Sequence, residues 1–143
     1  MNYMADIMEI TLYSFLGILL MALGNFLIDL VIPCSFPEEI KKRNNSVGFV
    51  SAGTNIGIGI LLKAAISSPE SSLRTETLGE GLLSSIIYFV IGIIFFMLGY
   101  MIIGLINRKY NINEEISSGN TAAGIMVAGI FIGLAITISG VIM

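Results

Sequence analysis

The chain has 143 residues, about one domain's worth, with 55% hydrophobic residues, 12% charged residues and a net charge of −3. Its mean hydropathy of +0.92 leaves too little charge to clothe a water-soluble surface, and the weak negative charge gives no basic footprint for nucleic acid. Histidine is absent and Cys34 is the lone cysteine, which excludes a histidine general base, a histidine-based triad, an internal disulfide and a multi-cysteine metal cage; no cofactor is expected.

Four apolar runs follow one another. Ile10 to Ile28 is uncharged, and its pattern continues to Ile32 before Pro33 stops it. Val47 to Ile66 is interrupted only by Lys63, while Leu82 to Ile106 and Thr121 to Met143 carry no charge. Each is long enough to cross ~30 Å of hydrocarbon as a helix. A closed helix also satisfies every backbone group, which lipid demands, and the runs lack the alternation of barrel strands. The expected fold is therefore all-α, four membrane spans in two hairpins. Asp6 and Glu9 precede the first run without any Lys or Arg, the reverse of a secretory leader, so that run is read as a retained span.

Positive charge sets the expected direction. Lys41, Lys42 and Arg43 lie between spans one and two, and Arg108 and Lys109 between spans three and four; only Lys63 and Arg74 lie elsewhere. By the positive-inside rule, loops 33–46 and 107–120 face the cytoplasm of a plasma (inner) membrane and both termini lie outside. The polar stretch 67–81 is then an extracytoplasmic loop.

The second half reads onto the first. At a shift of 76, Glu38, Glu39, Ile40, Asn44, Gly48, Ala52, Gly53, Ile56, Gly57 and Ile60 meet identical residues from Glu114 to Ile136. At a shift of 75, Tyr13, Gly17 and Gly24 meet Tyr88, Gly92 and Gly99. The expected organisation is one two-span repeat over 1–66 and a second over 82–143. Both repeats point the same way, so an axis along the membrane normal should relate them, unlike the in-plane axis of inverted-repeat transporters.

Asp29, the Pro33 stop, Glu38-Glu39-Ile40, Asn44 and the small-residue-rich helix that follows resemble the repeat unit of the YjfL-type inner-membrane proteins, domain of unknown function 350. Asn120-Thr121-Ala122-Ala123-Gly124 matches that unit better than Asn44-Asn45-Ser46-Val47-Gly48, where Val47 replaces a small residue. The second unit has no Asp at the place of Asp29, Asn107 being nearest. The resemblance implies two tandem units, a membrane location and no established activity. It also implies a place among envelope-stress gene sets that include PspA-like proteins, hence a cytoplasmic membrane-stress partner.

Several residues invite competing roles. Ser35 to Glu38 and Asn111 to Glu114 each fit a helix start with a capping side chain and an acid three residues on, so a short interfacial helix is expected in each inner loop. Glu38, Glu39, Glu114 and Glu115 then form either capped turns or a docking surface. Asn44 and Asn120 are placed to cap spans two and four or to line a mouth. On a wheel of about 100° per residue, Gly48, Ala52, Asn55 and Gly59 share one stripe of span two, with Gly53 and Gly57 on another. Span four pairs Gly124, Ala128 and Ala135 against Gly129 and Gly133. Small residues let helices approach closely in lipid, so two stripes imply two partners per helix, one of them the sister repeat or another subunit.

Asn55, near mid-membrane, makes either an interhelical hydrogen bond or a polar point in a water path. Asp29 is read as an interfacial anchor that Lys41 to Arg43 or a helix start would pair, or as an intramembrane functional acid. Lys63 is expected to snorkel outward. Two functions stay in play: a homo-oligomeric membrane scaffold, and a small channel with a pore between subunits lined by Asp29, Asn44, Asn55 and Asn120. An intramembrane enzyme would need a second carboxylate at the depth of Asp29.

Overall fold

A computed structural model describes residues 3–32, 34–68 and 77–143. The expected stop at Pro33, the charge at Arg74 and most of the loop between spans two and three lie outside the described residues. Among the described residues six helices follow in order: α1 (Tyr3–Asp29), α2 (Phe36–Lys41), α3 (Asn45–Ile66), α4 (Leu78–Ile106), α5 (Ile112–Ser117) and α6 (Thr121–Ile142). Among the described residues α1, α3, α4 and α6 are long and apolar enough to cross a membrane. The short α2 and α5 stand where the two loop helices are expected.

Local chemistry sets the boundaries. Thr77 and Glu80 form a reciprocal capping box at the start of α4, the threonine hydroxyl accepting from the Glu80 amide and the glutamate from the Thr77 amide. Asn111 caps α5 by accepting from the Glu114 amide at 3.4 Å. Ser35 departs from expectation: it occupies the cap position of α2 in extended backbone, but its side chain makes no capping bond. Pro37, in the opening turn, has no amide to offer and already fixes a helical φ, which removes part of the need.

Helix α3 is the hub. It packs most extensively on α6 and also meets α4 and α1, while α4 meets α6 and α1. Half of its most apolar window is buried, against 22% for α6, 28% for α4 and 11% for α1. The core between them holds Val47, Val50, Ile58, Leu61, Phe89, Ile93, Phe96, Val127 and Phe131, each with at most 1% exposure. Phe131 is its aromatic centre: the Phe96 ring tilts against it at 4.8 Å and Tyr100 stacks on it at 5.0 Å. Such pairs add about 0.5–1.5 kcal/mol beyond the area they bury.

Candidate functional site

The polar groups gather where α2 turns into α3 and α5 into α6. After α2 the chain turns at Arg43 with φ 61°, and after α5 at Gly119 with φ 87°. The Arg43 amide donates to the Ile40 carbonyl and the Asn44 amide to the Glu39 carbonyl. The Gly119 amide donates to Ile116 and the Asn120 amide to Glu115. Each pair satisfies helix-end carbonyls in the Schellman pattern. Arginine bears the left-handed cost that glycine avoids in the second turn.

Each turn delivers an asparagine to a helix start. The Asn44 Oδ1 accepts from the Val47 amide at 3.3 Å, and the Asn120 Oδ1 from the Ala122 and Ala123 amides at 3.1 and 3.4 Å. Both therefore cap, as the amide's acceptor end allows. The donor ends reach back to the preceding helix, Asn44 to Glu39 Oε2 at 3.0 Å and Asn120 to Glu115 Oε2 at 2.7 Å. Glu39 and Glu115 are thus engaged within the fold, while Glu38 and Glu114 are exposed.

Asn44 does more than its counterpart. Its amide also donates to the Ile116 carbonyl at 3.1 Å and the Ser117 carbonyl at 3.3 Å, the last turn of α5. Ser46, fully buried, adds a bond from its hydroxyl to the Asn120 carbonyl at 2.8 Å. These bonds stitch the two loop regions together.

Lys42 closes a 2.7 Å ion pair with Glu39. The hydrogen bonds from Lys42 and then Asn44 hold the Glu39 carboxyl below its ordinary range. A carboxyl held low in the folded state contributes stability above the ordinary carboxylate range and loses it as pH falls through the lowered value. Acid titration of the unfolding midpoint should therefore show a loss below the range of a free glutamate, and Glu39→Gln should flatten it. An unchanged acid limb in that variant would remove Glu39 from the account.

The remaining candidate residues are scattered. Asp29, the last residue of α1, has a buried Oδ1 without a hydrogen-bond partner among the described residues, so the expected pairing with Lys41 to Arg43 does not form. All three cations are exposed, and Lys42 pairs with Glu39 instead. Asn55 accepts from Asn25 Nδ2 of α1 at 2.9 Å and donates to the Ser51 carbonyl at 2.8 Å. The interhelical bond was foreseeable, but Asn25 as its partner was not: one polar residue in an apolar run does not reveal what it faces. Tyr100, buried, donates to Asn113 Oδ1 at 2.9 Å and fastens α4 to α5, a link no motif announced. Beside it a cleft of about 370 Å³ is lined by Arg108, Tyr110 and Asn111 among others. Cys34 is half-buried, and burial, with Glu39 and Asp29 nearby, pushes its thiol up, which makes it a poor nucleophile.

The small residues divide by face. Gly53 is buried against α6: a Cβ there would lie on the Ala128 backbone, 2.6 Å from its Cβ. Gly57 faces Phe96 and the Phe131 carbonyl, and Gly124 is buried against Ser46. Gly48, Gly129 and Gly133 face open space, with nothing within 4 Å of an added Cβ, and Ala52 is exposed. One small face of each helix is used inside the chain; on the other, Gly48 and Ala52 of α3 and Gly129 and Gly133 of α6 stay exposed, while Asn55 on the α3 stripe bonds to α1.

Similarity to other proteins agrees with a membrane location. The chain is 26% identical over 134 residues to the UPF0719 transmembrane protein YshE of Bacillus subtilis, covering 94% of this chain and 92% of that protein. It is 24% identical over 135 residues to a UPF0719 transmembrane protein of Aquifex aeolicus, covering 92% of this chain but 48% of that protein, so the chain spans about half of that relative's length. No solved structure matches. The family model described as Domain of Unknown Function (DUF350) matches residues 2–142, and the chain, a four-span transmembrane protein, belongs to that family.

Proposed function

We propose that this chain is a non-enzymatic, homo-oligomeric scaffold of the plasma membrane, with the α2 and α5 loops in the cytoplasm and both termini outside. The observation that carries the reading is the free small-residue face on two membrane helices. Gly129 and Gly133 on α6, and Gly48 and Ala52 on α3, are exposed with open space beside the glycines. Lipid supplies little drive between helices, so such faces gain most from close contact with another helix. Exposed Glu38 and Glu114, at the loop end, suit a cytoplasmic membrane-stress partner.

A conduit between subunits has less support. Asn55 spends its amide on Asn25 and Ser51, and Asn44 and Asn120 spend theirs on helix starts and glutamates. Native mass spectrometry of the protein extracted in lipid nanodiscs tests the scaffold. Several copies per disc are expected; a strict monomer would overturn it.

A further inference from the structure

We infer that copies of this chain join head to tail, the free face of α6 on one copy seating the free face of α3 on the next as α3 and α6 already seat each other within the chain. The inference rests on the oligomeric reading above and names its geometry.

The two hairpins pack internally alike. Gly24 of α1 lies against Ile58 of α3, and Gly99 of α4 against Leu134 of α6. The Asn25–Asn55 bond occupies the place that the Tyr100–Phe131 stack takes in the second hairpin. These pairs correspond at the 75- and 76-residue shifts of the sequence.

Between hairpins the mating is different. A two-fold arrangement would bring like faces together, Gly53 to its counterpart Gly129. Instead Gly53 meets Ala128, and Gly124 meets Ser46. The interface therefore joins non-equivalent faces, the heterologous kind that leaves one half unmatched at each end. The unmatched halves are identifiable. Gly129 and Gly133, exposed on α6, correspond to the buried Gly53 and Gly57 of α3. Gly48 and Ala52, exposed on α3, correspond to buried Gly124 and half-buried Ala128 of α6. Burial of the larger neighbours follows suit: Val50 is fully buried, whereas its counterpart Met126 is 41% exposed.

A polar contact, independent of the small residues, points the same way. Asn44 donates to the carbonyls of Ile116 and Ser117 at the end of α5. The corresponding acceptors for Asn120 are the carbonyls of Ile40 and Lys41 at the end of α2, two residues exposed in this chain. A neighbouring copy seated in the internal manner would bring them within reach. Heterologous contacts close into rings or run on as open arrays. Spans that share one bilayer direction place any rotation axis along its normal, and a ring that closes holds an even number of hairpins, two from each copy.

Two full-length variants in nanodiscs test this, Gly129→Leu and Gly48→Leu, each pointing into space that is open within the chain. Each alone should fall to single copies while keeping the wild-type helix content. Co-expressed under different tags, they should form a one-to-one pair, because each retains the face the other lacks. If either variant alone keeps the wild-type copy number, or if the mixture fails to pair, head-to-tail joining is wrong. A monomeric wild type would instead overturn the oligomeric reading itself, so the two failures are distinguishable.

Discussion

Gly53→Ala is expected to lower the unfolding free energy in detergent micelles by about 2 kcal/mol, whereas Gly59→Ala should leave it unchanged or raise it by up to ~1 kcal/mol. A methyl group at position 53 would press on the Ala128 backbone of α6, and the neighbouring contact is main chain that cannot swing aside. The two helices must part, at the ~1–3 kcal/mol typical of an overfilled core. Backbone against backbone puts the cost at the upper end, ahead of the ~1 kcal/mol that alanine gains over glycine in a helix. Position 59 has open space beside it, and its counterpart in the second half is already Ala135. Denaturant titration followed by circular dichroism measures both. Equal midpoints for the two variants would mean that α3 and α6 do not approach closely at Gly53 and Ala128.

The second large effect belongs to Asn44. Asn44→Ala removes the cap on α3 together with the amide's bonds to Glu39, Ile116 and Ser117. A cap contributes ~1 kcal/mol and each further hydrogen bond ~1 kcal/mol net when unshared. The three share one amide, so the expected loss is about 2–3 kcal/mol. Asn120→Ala should cost about half as much, since its bonds stay within its own loop region. Asn44→Asp keeps an acceptor for the cap but sets a second carboxylate beside Glu39. It should be less stable than Asn44→Ser at pH 7 and recover as acid protonates one of the two. Unfolding midpoints at pH 7 and pH 5 decide it; equal losses for Asn44→Ala and Asn120→Ala would deny Asn44 its bridging part.

How much of this the sequence discloses follows from what each residue type can signal. Lipid leaves a run such as Leu82 to Ile106 no option but a helix, so the spans are readable directly. Asn44 and Asn120 are readable as caps because a short polar side chain at a helix start has few other uses. The two stripes on α3 are also visible, but not which one the chain uses itself. Gly48 and Gly53 are chemically alike, and only the rotation of α3 about its axis decides between them. Asp29 misleads because an acid in an apolar run implies a partner, whereas its buried Oδ1 has none among the described residues and Lys42 pairs with Glu39. The Tyr100–Asn113 bond and the Asn25–Asn55 bond join residues whose meeting depends on helix crossing, which periodicity does not encode.

The central place of α3 also bears on how the protein is made. Of the four spans it is the least apolar, with a mean hydropathy of 1.5 over its window against 2.7 for α4 and 2.5 for α6, and it carries Ser46, Thr54, Asn55 and Lys63. It is also the most enclosed, so much of its comfort in the bilayer comes from α4 and α6. Both emerge from the ribosome after it. A nascent chain ending shortly beyond Ile66 would hold α3 at the insertion machinery beside α1, before α4 and α6 are made. Membrane entry and tertiary assembly are therefore coupled in this protein: its second span is fully at home only once its fourth has arrived.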